Sequence, residues 1–161
     1  MIDSIKSILA ATTLALALAG TALAMQANAE TASAGVIAVK SDYSVAETVA
    51  RIKKDVAAKG IMFFGVIDQA KLGNAAGNTV KPSRLVMFGN PALGTTFITA
   101  NPKAALDWPV RVVVYQDADG SVYAAYSDFD YIAKRHGIEN RTKEFNMATE
   151  VIQSVTSSIR K

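Results

Sequence analysis

Two apolar stripes, one near each end of the chain, constrain the fold more than any other feature of the sequence. Val45, Val49, Ile52 and Val56 recur at spacings of four, three and four, which lines one face of a helix. Phe145, Ala148, Ile152, Val155 and Ile159 do the same at three, four, three and four. A stripe of this kind needs an apolar surface to lie on. The chain supplies one in short runs rich in Val, Ile, Phe and Tyr, which read as strands: Gly35–Lys40 before the first stripe, then Ile61–Ile67, Arg84–Phe88, Val110–Gln116 and Ser121–Ser127. Short links between consecutive runs imply antiparallel pairing, with both long helices on one face of the sheet. The expected fold class is therefore α+β, in two layers.

Local signals set the boundaries. Ser44-Val45-Ala46-Glu47 is a capping box, in which the Ser44 hydroxyl accepts from the Glu47 N–H and the Glu47 carboxylate reaches back to the Ser44 N–H. Gly60 is the natural stop, so the first helix is expected over 45–59. The last is expected from about Arg141 to Ile159. Ile61–Ile67 is a nearly continuous apolar run and reads as a buried strand. Asp117-Ala118-Asp119-Gly120 predicts a hairpin with a type I′ turn. Centred on Asp119-Gly120, that turn pairs Tyr115 with Ala124 and Tyr126 with Val113. The sheet face away from the helices must also be covered, and Tyr115, Tyr123 and Tyr126 suggest a subunit interface or a ligand-lined face.

The first residues read as a targeting segment. Lys6 supplies a positive start, Ile8 to Ala19 is an Ala- and Leu-rich run, and Ala22-Leu23-Ala24 and Ala27-Asn28-Ala29 are small-x-small cleavage sites. This is the order of a secretory signal peptide. We expect a cleaved leader over 1–29, with Ala24 the second choice of site, and a single domain over 30–161. The apolar run is shorter than the roughly 20 residues a membrane span needs, so no stable membrane anchor is expected after cleavage. The expected location is periplasmic or secreted. A formal charge of +3, with Arg51, Lys53 and Lys54 as the nearest approach to a basic cluster, argues against nucleic acid as a partner. The absence of cysteine excludes disulfides, thiolate nucleophiles, thiolate metal sites and covalently attached haem. No cofactor or metal is implied. Gly94 and Thr95 are too few glycines for a phosphate loop, and the Asp117/Asp119/Gly120 turn lacks the remaining ligands of a calcium loop.

Five residues remain as candidates for a ligand site. Asn90, between Gly89 and Pro91 at a strand end, offers an amide that can read a ligand, and it equally suits a rigid turn. Thr95 follows closely. Asp68 and Asp107 lie at or near strand ends, where they can converge with Asn90; paired carboxylates do acid–base work or hold Ca²⁺, and Asp107 before Trp108-Pro109 equally suits a simple turn. His136 is the only histidine, a possible general base that equally suits a helix end before Gly137. No catalytic residue stands out on motif grounds. The first reading is a homodimeric binding or interaction module that holds a small ligand or partner near Asp68, Asn90, Thr95, Asp107 and His136. The rival is a hydrolase or isomerase using Asp68, Asp107 and His136. A third is a structural or stress-related accessory protein.

Three segments carry a resemblance: Phe64-Gly65-Val66-Ile67-Asp68; Leu85-Val86-Met87-Phe88-Gly89-Asn90-Pro91-Ala92-Leu93-Gly94-Thr95 continuing through Asn101-Pro102 to Ala105-Leu106-Asp107-Trp108-Pro109; and Asp117-Ala118-Asp119-Gly120 with Tyr126 and Arg135-His136-Gly137. Over nearly all of the chain after the leader, this resembles the family called domain of unknown function 302. The resemblance implies a two-layer β-α-β4-α sandwich similar to the TATA-binding-protein type, and dimerisation. It implies little about function, because a fold does not fix one. Gln69 stands where the family usually has His, and Thr96 and Phe129 where many members have Pro. Chemistry that relied on that His is not available to this chain.

Overall fold

The computed structural model describes residues 35–161; the expected leader and its two expected cleavage sites lie outside the described residues. The elements are β1 (Val36–Ser41), α1 (Val45–Ala58), β2 (Met62–Asp68), α2 (Gln69–Ala75), β3 (Ser83–Gly89), α3 (Pro91–Ala100), a 3-10 helix (Pro102–Asp107), β4 (Val110–Gln116), β5 (Val122–Ser127), α4 (Phe129–His136), α5 (Thr142–Thr156) and a short 3-10 turn (Ser157–Ile159). The five strands form one sheet in the order β1-β5-β4-β3-β2, and every neighbouring pair is antiparallel. β1 and β2 are thus the two edges, and α1 carries the chain across the sheet from one to the other.

Both stripes do what their spacing implies. Val45, Val49, Ile52 and Val56 are buried, as are Phe145, Ala148, Ile152, Val155 and Ile159. They share one core with Val86, Phe88, Val112, Val114, Ala124 and Tyr126 of the sheet. Each Val, Ile or Phe side chain among them removed from water contributes about 1.5–3 kcal/mol, so one two-layer sandwich accounts for the fold.

Three local expectations change. Only half of the capping box forms. The Glu47 N–H donates to Ser44 Oγ at 3.2 Å, but the Glu47 carboxylate accepts from Arg51 Nη2 at 3.1 Å one turn along. Arg51 is itself held over the Tyr43 ring at 3.6 Å, and the charged partner wins the carboxylate.

The hairpin turn differs as well. Gly120 has φ +89°, while no residue other than glycine has positive φ among the described residues, so Asp119 cannot take its place in a type I′ turn. Instead the Asp117 N–H donates to Ser121 O at 2.8 Å and the Gly120 N–H to Asp117 O at 3.2 Å. This closes a three-residue loop with a type I turn and a left-handed glycine. The Asp119 carboxylate accepts from Ser121 N and Ser121 Oγ at 2.8 and 3.0 Å, an arrangement that fixes its turn. The register therefore moves by one residue. Tyr115 pairs with Tyr123 and Tyr126 with Val112. A one-residue shift changes the face a side chain occupies. Tyr115 and Tyr123 stack at 5.8 Å on the face away from the helices, while Tyr126 enters the core under them.

The third change is β2. Its run is apolar yet not buried: Met62, Phe63, Phe64, Val66 and Ile67 are 37–50% exposed. A continuous apolar run cannot say where in a sheet its strand lies, and this one is an edge. Its pairing with β3 also slips between Phe63 and Gly65, which leaves Phe64 on a bulge.

Candidate active cleft

Where β3 ends and α3 begins, Asn90 caps the helix. Its Oδ1 accepts from the N–H groups of Ala92 at 2.9 Å and Leu93 at 3.4 Å. Pro91 follows at the first helical position, where its missing N–H costs nothing. Asn101 plays the same part for the next turn, accepting from Lys103 N at 3.0 Å. That turn delivers Asp107 and Trp108, and the Trp108–Pro109 peptide is cis. The Trp108 indole then lies against Gly89 and Gly94. A Cβ built on Gly94 falls 1.9 Å from Trp108 Nε1, and one on Gly89 falls 2.8 Å from it. Both glycines of the Phe-Gly-Asn-Pro…Gly-Thr string are therefore explained by one tryptophan. The ring of Phe64 meets the indole edge-on at 5.5 Å.

These elements enclose a cleft of about 220 Å³ between α3, α5 and the adjoining ends of β3 and β4. Phe88, Leu93, Phe97, Phe129, Ile132 and Ile152 are among its apolar walls, and Lys59, Asn90, Asp107 and Trp108 are polar or amphipathic groups on its lining. Phe97 and Phe145 stack at 4.2 Å beside it.

Asp107 joins the cleft to a charged cluster behind it. Its side chain is 4% exposed. Oδ1 accepts from Arg111 Nη2 at 3.3 Å and Arg135 Nη1 at 3.2 Å. Oδ2 accepts from Arg135 Nη1 at 3.2 Å and faces His136 Nε2 at 2.7 Å. With a carboxylate as partner, that ring nitrogen is the donor. Asn101 Nδ2 donates to the His136 carbonyl at 2.7 Å, so the end of α4 is tied down twice. His136 is buried and is not on the cleft lining. A general base must present a nitrogen to the reacting proton; Nε2 here is spent on Asp107.

Of the five sequence candidates, Asn90 and Asp107 meet at the cleft and His136 stands directly behind Asp107. Thr95 is exposed, and its hydroxyl donates to Pro91 O at 2.7 Å. Asp68 stands apart. Met62, at the start of β2, pairs with Gly89, so Asp68 at its far end is roughly 20 Å away along a strand rising about 3.3 Å per residue. There it caps α2 through Lys71 N at 2.9 Å and pairs with Arg84 at 3.3 Å, in a second, more open hollow of about 450 Å³. The expected convergence of Asp68 with Asp107 does not occur. Arg111, Arg135 and Lys59 escaped the sequence reading. Arg111 carried a signal, four residues after Asp107, and Arg135 preceded the only histidine; Lys59 carried none. Two described groups with displaced pKa values lie elsewhere. Hydrogen bonds from Ser121 hold Asp119 below the usual carboxylate range, and burial pushes the Tyr126 phenol up.

Residues 37–160 match the family model described as domain of unknown function DUF302. The chain belongs to this family. A solved DUF302 structure, the uncharacterized conserved protein from Bacillus stearothermophilus, superposes with a TM-score of 0.63 over 78% of this chain and 95% of that one, at 15% identity. The shared fold is thus the two-layer sandwich. The DUF302 domain is also 32% identical over 104 residues to proteins named fluoride-specific ion channel FluC 1 from Brucella suis and Brucella abortus. Those matches cover 65% of this chain and 41% and 38% of the two relatives, so the chain spans about two fifths of the length of the curated relatives it matches.

Proposed function

We propose that this DUF302 domain is an exported, homodimeric binding module that holds a small ligand in the cleft beside Asn90 and Asp107. The cleft carries the reading: a concave, mainly apolar cavity with a few polar groups at one end is the usual form of a small-molecule site. The rival hydrolase or isomerase reading loses support because Asp68 is remote from Asp107 and His136 offers no nitrogen to the cleft. The order of charged start, apolar run and small-x-small sites over residues 1–29 supports export. The apolar edge of β2 supports a second copy as its cover, since an unpaired strand edge of this kind invites pairing.

Native mass spectrometry of the protein purified from the exported fraction of its host tests this directly. The expected spectrum shows a dimer carrying extra mass that leaves on denaturation. A clean apo monomer overturns the proposal.

A second reading rests on the FluC relatives. Among the described residues no helix is long and apolar enough to cross a membrane. On this reading the domain serves a membrane transport protein from outside the bilayer. Deleting it should then sensitise its host to fluoride; unchanged tolerance removes the reading.

A further inference from the structure

We infer that the cleft selects a small aromatic monocarboxylate, an assignment that rests on the binding reading above. Size and walls give the apolar half of the ligand. An apolar protein cavity of about 150 Å³ accommodates benzene, so about 220 Å³ takes one ring with a short polar substituent. Phe88, Phe97, Trp108 and Phe129 bring four aromatic rings to the lining, and aromatic rings favour one another in offset or edge-on geometry.

The polar half follows from which groups have capacity to spare. Asn90 has committed its Oδ1 to the N–H groups of Ala92 and Leu93, which leaves its amide N–H groups as donors. Trp108 Nε1 is a donor only and has no acceptor among the described residues. Lys59 has no ion-pair partner among the described residues and lines the same cavity. Asp107 is the one acidic group there, and both of its oxygens are engaged by Arg111, Arg135 and His136. Every uncommitted polar side-chain group at the cleft is therefore a donor, and one is a cation. An acceptor with negative charge suits each of them; an ammonium ligand suits none.

The trio phenylacetate, phenylacetamide and 2-phenylethylamine varies charge on a constant ring. Titrated calorimetrically into the full chain, phenylacetate should bind about tenfold more tightly than the amide, the worth of about one charge-assisted hydrogen bond, and the amine should not bind. Lys59→Met, at an exposed position, should lower phenylacetate affinity about tenfold and so erase its preference over the amide. Ala148→Leu, which grows into the cleft, should remove binding of both. Equal affinities, or the amine binding tightest, overturns the carboxylate assignment and leaves the cleft a binding site. No binding by any probe, with co-purified mass still present in the native spectrum, overturns the ligand class alone; with no such mass, the binding reading falls too.

Discussion

Gly94 sits inside α3, where replacing glycine by alanine normally stabilises a helix by about 1 kcal/mol. Here the added methyl would stand 1.9 Å from Trp108 Nε1, and overpacking of that kind costs roughly 1–3 kcal/mol. Gly94→Ala is therefore expected to destabilise the domain on balance. Urea unfolding followed by the emission of Trp108, the sole tryptophan, reads both the stability and the displaced indole; a gain in stability would show that the indole is not seated on α3. Tyr126 gives a second residue-level expectation. Burial raises its pKa above 10.0, a hydrogen bond with Thr156 opposes the shift, and the charge of Asp128 adds to it. A raised folded value means that the phenol's contribution is fully present below pH 10.0 and is lost as pH rises through the higher folded value. Wild type should thus lose stability across that range relative to Tyr126→Phe, and parallel pH profiles of the two would contradict it.

At the scale of elements, α1 depends on its entry. The Ser44 side chain takes one N–H, and the Thr48 hydroxyl one turn later is fully buried, 2.7 Å from the hydroxyl of Ser41 on β1. The two bonds act differently. Ser44→Ala removes a cap at an exposed end and is expected to cost about 1 kcal/mol. Thr48→Val keeps the volume and removes a buried partner of Ser41, which retains Ile159 O at 3.3 Å and Tyr43 N at 3.2 Å; a cost of about 1 kcal/mol is expected again. The Thr48 N–H donates to Ser44 O at 2.8 Å, so the two sites touch and the double variant measures their coupling; thermal unfolding of the four proteins checks each cost. The same region shows what a sequence carries. Helical stripes were legible because their period is a property of the helix itself. The Glu47 carboxylate was not, because its choice between Ser44 and Arg51 depends on where Tyr43 holds the guanidinium. Nor was the hairpin register, since Asp-Gly fits both a two-residue and a three-residue loop and the difference lies in the φ of Asp119.

At the scale of the molecule, the antiparallel two-layer arrangement followed from short links and two stripes, but the place of each strand in the sheet did not. Strand order is decided by contacts far apart in sequence, which is why β2 read as interior and stands at an edge, and why Asp68 and Asn90, both near strand ends, stand at opposite ends of the sheet. The exposure of an apolar β2 is informative in itself. Its apolar residues face outward on both sides of the strand, more than one chain needs, and a second copy related by a two-fold axis would pair β2 with β2 in antiparallel fashion and cover them. Val66 and Ile67 are 37% and 38% exposed, so Val66→Lys with Ile67→Lys should spare the fold and place like charges across the two-fold axis. Light scattering after size exclusion should give twice the chain mass for wild type and the single-chain mass for the double variant, with unchanged far-ultraviolet circular dichroism. Dimer stability would also make wild-type Tm rise with protein concentration while that of the variant stays flat. A wild-type monomer, or a double variant that remains dimeric, would mean that the β2 edge is covered by something other than itself.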